Sequence, residues 1–349
     1  GAGTTYVLAR ALADDVEHGE DNRDLAALAV VGAVGDMQAT GDGLVGANRE
    51  VVAEGIEVGV LAEAKDLALY GKQTRPLPKL LEYASEVRIP GISNDPQGAV
   101  SFLQEIDIDA RDGDDWRRWV DLSDDERRTV ASALLQRALR RGVPPEKAQS
   151  LVGTTYTLER EPEGTELRDA SEFSTLLNAT ARYERGDVGL AVCLGDRDAA
   201  FERAKRLLAN HRRNLSAGLD VVKARGVEEA AHLQWFDAGD EIRETIVGIV
   251  AGMALGVEGV DPGRPIVAFA RKSDEADPAP VETKVSARGT GRLVGRGLDL
   301  SVVVGEAARA VGGDGGGHDI AAGATIPAGE EEAFIDRADA LVGEQLGST

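Results

Sequence analysis

Apolar runs broken by glycine, proline and charge set out the elements of this chain. Residues 6–13 read as a short helix. Residues 26–34 read as a buried apolar segment, taken as a strand, that ends at Gly35-Asp36. A carboxylate at the carboxyl edge of a buried strand is where open α/β sheets hold ligand groups. Residues 41–69 suggest a turn and then amphipathic segments, with Asn48-Arg49-Glu50 opening a helix. Arg75-Pro76-Leu77-Pro78 breaks that pattern, and Ile89-Pro90-Gly91 and Asn94-Asp95-Pro96 mark turns. The acidic run 107–115 reads as a solvated loop, because its aspartates lack a calcium-loop spacing. Ser123 and Glu126 make a capping-box pair, which predicts a helix toward Arg141 ended by Gly142 and Pro144-Pro145. Residues 154–167, centred on Glu163-Gly164, suit a hairpin.

From Asp198 to about Gly218 the text reads as one long helix with Leu207, Leu208 and Leu215 on its apolar side. Beyond it strands and helices alternate. Strands are expected at 233–236, 265–270 and 281–287, and helices at 241–255, 298–311 and 330–346. Gly248 and Gly252, four apart, permit close packing of a helix on a sheet, and an acidic loop, 273–280, separates the second and third strands. Such alternation argues for an α/β domain of its own.

Composition narrows the picture. The chain has 349 residues, 42% of them apolar, which is ample for two or three cores. Its net charge is −22, from 61 acidic and 39 basic residues. Taken alone, that balance argues against a nucleic-acid ligand. Arginine makes up 31 of the 39 bases and the acids are scattered, a composition that suits solubility at high salt. Screening there removes most long-range repulsion from DNA, so local charge matters more than the total. The single cysteine, Cys193, lies in an apolar run and is expected to be a buried thiol; a disulfide framework and a cysteine zinc site are excluded. No apolar stretch reaches the roughly 20 residues of a membrane span, and no signal peptide is visible, which points to a cytoplasmic protein with no membrane partner.

Two stretches carry candidate chemistry. Gly312-Gly313 and Gly315-Gly316-Gly317-His318 can present successive backbone N–H groups to an anion, helped by the imidazole and by a helix starting near Asp319. A flexible glycine-rich loop with an ordinary surface histidine fits the residues equally well. Arg203, Lys205, Arg206, Arg212 and Arg213 make the long helix the most basic stretch. Arg206 and Arg212 are candidates to contact a single strand, against the alternative of a helix balanced by its own Glu202 and Asp220.

Lys284-Val285-Ser286-Ala287-Arg288-Gly289-Thr290, followed by Gly-Gly-Gly-His-x-x-Ala-Ala-Gly, resembles the C-terminal domain of DHH-family phosphoesterases. In detail it resembles the RecJ-like single-strand nucleases, particularly the archaeal type that associates with the GINS replication complex. Residues 24–36, ending at Gly35-Asp36, resemble the fourth motif of the DHH catalytic domain. Residues 170–179 resemble an internal segment of the archaeal members.

The resemblance implies an α/β chain with a partial DHH catalytic domain and a mainly helical insertion over 1–197. A long connector helix over 198–230 and a separate DHH-associated α/β domain over 231–349 would follow. It implies that Asp36 is a ligand of Mn²⁺ or Mg²⁺ in the intact parent. It further implies that Ser286, Arg288, Gly315, Gly316, Gly317 and His318 hold a phosphate, with Asn178 and Arg182 as weaker candidates. The family's other metal motifs, including Asp-His-His, are missing: the histidines are His18, His211, His232 and His318, and no two are adjacent. The chain opens at Gly1 with Gly-Ala-Gly-Thr-Thr-Tyr, which resembles the segment after that triplet, so an N-terminally incomplete nuclease is expected. Single-stranded nucleic acid and GINS are the implied partners. Two further readings stay open: a strand- or GINS-binding replication subunit that does not cut, and a phosphodiesterase for short oligonucleotides or cyclic dinucleotides.

Overall fold

The computed structural model describes residues 1–14, 21–84, 87–272 and 282–347. His18 and the acidic loop 273–280 lie outside the described residues. The chain separates into two compact units, residues 1–181 with 185–205, and residues 182–184 with 206–349.

In the first unit, α1 (Ala2–Asp14), α2 (Ala26–Gly35) and α3 (Ala47–Glu57) precede β1 (Leu61–Leu67). The apolar segment expected as a strand is thus a helix. Its run of alanine, valine and leucine is apolar on every side, and periodicity cannot separate such a run from a buried strand. Small residues let it be enclosed: a Cβ on Gly32 would stand 2.4 Å from that of Ala2 in α1.

After β1 the chain leaves the two-stranded ribbon for a largely helical insertion. This comprises α4 (Leu77–Glu82), α5 (Pro96–Glu105), a minimal hairpin of β2 (Arg111–Asp112) and β3 (Asp115–Trp116), α6 (Asp124–Arg140) and α7 (Pro145–Gln149). The acidic run expected as a loop carries that hairpin. The capping box forms as expected, Ser123 Oγ accepting from the Glu126 N–H at 3.3 Å and Glu126 Oε2 from the Ser123 N–H at 2.8 Å. The insertion owns a core running from Leu67 to Leu151, with Trp119, Phe102 and Leu80 fully enclosed.

The chain returns as β4 (Val152–Leu158), antiparallel to β1 with Leu67 opposite Val152. The hairpin expected over 154–167 forms only as a single antiparallel bridge of Thr157 to Asp169, while β4 takes its full strand partner from the far side of the insertion, which no nearby turn signal announces. A half-buried carboxylate, Asp66, and a fully buried one, Glu172, fasten the insertion's base. Asp66 takes Lys72 Nζ at 2.9 Å and Trp119 Nε1 at 3.1 Å. Glu172 takes the Gln73 N–H at 2.8 Å and the Thr74 hydroxyl at 2.5 Å. Glu172 belongs to α8 (Ala170–Arg182), which is followed by α9 (Gly186–Cys193) and the long α10 (Ala199–Arg225). Cys193 is half-buried rather than fully enclosed, and burial pushes its thiol pKa up.

The second unit is a six-stranded sheet in the order β5-β6-β7-β8-β10-β9. It comprises β5 (Glu228–Glu229), β6 (Gln234–Asp237), α11 (Glu244–Ala254), β7 (Ile266–Arg271), β8 (Glu282–Arg288), α12 (Gly291–Val294), α13 (Leu300–Ala310), β9 (Asp314–Gly317), β10 (Ala321–Pro327) and α14 (Glu331–Gly347). β6 and β7 are parallel, joined through α11, and the remaining pairs are antiparallel. Alternation of side chains gives the sheet two buried faces. Val267, Phe269, Val285, Ala287, Ala322 and Ala324 pack beneath α13 and α14, with Phe269 edge-on to Trp235 and Phe334. Ile266, Ala268 and Ala270 pack against α11 on the other face.

No helix among the described residues is long and apolar enough to cross a membrane. The glycine-rich stretch is the edge strand β9 rather than a loop, and no helix starts near Asp319; the chain turns there into β10.

A cationic cleft in the second unit

On β8, Lys284, Ser286 and Arg288 sit at positions i, i+2 and i+4, so the pleat delivers all three to one face, the face that α11 covers only in part. Opposite them on β10 stand Thr325, Gly323 and Ala321, and Gly323 is in turn opposite Gly316 on β9. A row that runs from serine to two glycines leaves a trough beside α11. It forms a cleft of about 250 Å³ lined by Arg182, Glu244, Thr245, Lys284, Ser286 and Arg288 over a floor that includes Gly316, Gly317 and Gly323.

The wall facing β8 is shaped by absence of side chains. A Cβ on Gly248 would lie 2.6 Å from Arg288 Nη2 and 3.0 Å from Ser286 Oγ. One turn on, a Cβ on Gly252 would lie 3.8 Å from Arg288 Cγ and Cδ. The two glycines thus do more than bring helix and sheet together: Gly248 makes room for a guanidinium, and Gly252 borders its stem. At the far end Gly317 has φ of 153°, and a Cβ there would meet Ala321 O and Ala322 Cα at 2.6 Å, so only glycine closes this edge.

Arg288 is half-buried, and its Nη1 donates to Ala287 O at 2.8 Å. Burial, and then the like charge of Arg182, push its pKa below the ordinary arginine value. Arg182 Nη1 in turn donates to Thr245 O at 3.2 Å. Among the described residues neither arginine, nor Lys284, makes an ion pair. The Thr245 hydroxyl is enclosed with no partner among them. Three cations, one serine hydroxyl and a floor rich in glycine can hold a phosphate oxygen set, the arginine offering a planar fork.

Of the candidate residues, the fold gathers Arg182, Ser286, Arg288, Gly316 and Gly317 around this cleft. His318 is exposed and does not line it; its N–H closes the β9–β10 turn onto Ala321 O at 2.8 Å. The N–H of Gly315 is taken by its neighbour Asp314 at 3.0 Å, and Gly315 is not in the lining. An extended strand points successive N–H groups to alternate sides, so the expected concavity of consecutive donors does not form here. Asn178 is exposed on α8, and Arg206 and Arg212 are exposed on α10, none in the cleft. Lys284, Glu244 and Thr245 were not singled out from the sequence. The two-residue period of β8 was the available signal for Lys284.

Asp36 caps α2 in the first unit, exposed, and lines a separate cleft of about 600 Å³ with Thr4, Gln38 and Asn48. Gln38 Nε2 donates to Asp36 Oδ2 at 2.7 Å, and Asn48 Nδ2 to Gln38 Oε1 at 2.7 Å. One carboxylate in an amide chain is a single ligand. Among the described residues no group of three or more His, Cys, Asp or Glu side chains is placed to hold a metal ion. The described residues therefore do not make up a divalent-cation site.

Residues 69–152 match the DHH-CID domain, and residues 229–344 match the DHHA1 domain. The first match coincides with the helical insertion, and the second contains the lining of the cationic cleft except Arg182. A protein of Methanocaldococcus jannaschii described as uncharacterized is 29% identical over 323 residues, which is 93% of this chain and 64% of the relative. Among solved structures, RecJ of Thermus thermophilus with Mn²⁺ superimposes with a TM-score of 0.52 at 18% identity, over 99% of this chain and 36% of RecJ. CDC45 of Entamoeba histolytica gives 0.58 at 9% identity, over 98% of this chain and 71% of that one. At these identities the likeness is one of fold. The chain spans less than two thirds of the length of the Methanocaldococcus relative and little more than a third of RecJ.

Proposed function

We propose that this chain, which carries a DHH-CID and a DHHA1 domain, is a RecJ-like protein of the DHH family, and that its second unit grips the sugar-phosphate backbone of a single-stranded nucleic acid. Arg288 and Ser286 bind one phosphate from β8, Arg182 and Lys284 neutralise it from either side, and the glycine floor lets the strand lie close. The observation that carries this reading is the convergence on one cleft of three cations that make no ion pair among the described residues, in a chain whose net charge is −22.

On this reading the grip serves hydrolysis of a single-strand phosphodiester. RecJ structures hold Mn²⁺ or Mg²⁺, but the described residues of this chain do not by themselves make up a site for either. Asp36 is one candidate ligand, and no step of the grip depends on the metal. A second reading, a strand- or GINS-binding replication subunit that does not cut, is favoured by the incomplete donor set around Asp36. The scattered acidic surface suits a protein working at high salt.

Titration of a labelled single strand at several salt concentrations tests the grip. Arg288→Ala and Lys284→Ala should each weaken binding and flatten the dependence on salt by about one unit of slope. Variants that bind with unchanged affinity and slope would overturn the assignment.

A further inference from the structure

The phosphate cleft contains one residue that a phosphate site does not want. Glu244 lines it, half-buried, and makes no ion pair or side-chain hydrogen bond among the described residues. A carboxylate is an acceptor only, and it repels a phosphate, which offers acceptors only. It becomes useful if the bound molecule brings a donor to it. Thr245, whose enclosed hydroxyl finds no partner among the described residues, stands beside it.

The cleft's size and lining say which donor. At about 250 Å³ it exceeds the roughly 30 Å³ share of one water several-fold, enough for a phosphate and its sugar. Its lining holds no aromatic side chain on which a base could stack. Next to a backbone phosphate, the donor that does not belong to a base is the 2′-hydroxyl, the group by which proteins tell RNA from DNA. We propose that Glu244 accepts a hydrogen bond from a ribose 2′-hydroxyl, with Thr245 completing the contact, so that the cleft selects ribo-strands. This rests on the phosphate reading above and names the substrate class of the same site. With three cations lining the cleft, one carboxylate still leaves it attractive to a phosphodiester.

The test compares oligouridine, its deoxy counterpart and its 2′-O-methyl counterpart, each binding the full chain, followed by fluorescence anisotropy. The methyl ether keeps an acceptor and removes the donor. The ribo-strand should bind about tenfold more tightly than both others, the worth of one hydrogen bond to a charged acceptor. Glu244→Ala should bring the three together, chiefly by losing the ribo-strand's advantage. A 2′-O-methyl strand that binds like RNA, or a Glu244→Ala chain that keeps the preference, would sink the inference while leaving the phosphate grip intact. If Glu244 serves only the helix dipole, the variant lowers the melting temperature without moving the ratio. Failure of the wild-type chain to bind any of the three would overturn the grip and this inference together.

Discussion

Replacing Gly248 by alanine should damage binding while sparing the fold, and the size of the effect follows from the distances. The new Cβ would lie 2.6 Å from Arg288 Nη2. To reach ordinary contact the guanidinium must retreat by roughly 1 Å. A charge-assisted hydrogen bond to phosphate has a usual length of about 2.8 Å, and a contact that lengthens so far is no longer one. Losing it costs about 1.5–3 kcal/mol, or roughly 10- to 100-fold in Kd. Stability moves less. Alanine gains about 1 kcal/mol of helix propensity over glycine, which offsets the crowding of Ser286, whose Oγ would be 3.0 Å away. Gly252→Ala is the internal control. Its Cβ would stand 3.8 Å from Arg288, an ordinary contact, so the melting temperature should rise and affinity stay as it was. Anisotropy titrations and thermal melts of both variants decide the matter. Equal affinity for Gly248→Ala and wild type would refute the reasoning, as would an equal loss in Gly252→Ala.

Three further outcomes are expected. Thr245→Val should stabilise the ligand-free chain by about 1 kcal/mol in urea denaturation, because it removes an enclosed hydroxyl that has no partner among the described residues; a loss of stability would show that the hydroxyl is satisfied. Burial pushes the Glu172 carboxyl up to about 7, against the accepted bonds from Thr74 and Gln73 that pull it down. Because the folded chain then holds a proton that the unfolded chain has released, stability should fall as pH rises from about 4.5 to 7 and level off above. Glu172→Gln should flatten that part of the curve, and an unchanged slope would assign it to other groups. Ser123→Ala should cost about 1 kcal/mol by opening the capping box of α6, measured as a shift in the urea midpoint at constant slope.

Much of the second unit was legible because its elements carry local signals. The strands and helices expected after residue 230 appear within a few residues of their expected ends, and the family resemblance rested on the same stretch. What escaped was anything set by a distant partner. β4 finds β1 across the whole insertion, and the return after Glu163-Gly164 goes no further than a single bridge of Thr157 to Asp169. The glycines before His318 look like a loop on composition. Yet a Cβ on Gly315 would strike Ala324 Cβ at 2.6 Å, which shows that they are small because an edge strand lies tight against β10. Arg182 drew attention only as part of a matching segment, because its meaning lies in α11 and β8, far along the chain. Glu244 looked like any acid in a first helical turn.

The cleft also shows how a chain with 61 acidic residues can serve a polyanion. Surface charges separated by more than a Debye length, about 8 Å at physiological ionic strength, barely feel one another, so the overall charge says little about a recessed site. What counts is which cations are left without acids. Many of the chain's arginines are committed to carboxylates, as Arg117 is to Glu126 and Arg197 to Glu161. Arg182 and Arg288 instead lie near each other, and burial together with their mutual repulsion disfavours the charged form of Arg288. That repulsion is unfavourable in the free chain and is relieved by whatever anion enters. An anion's gain on entering is therefore larger than its hydrogen bonds alone would give. Removing Arg182 should then weaken phosphate binding by less than its direct contacts imply, because the variant has less repulsion to relieve.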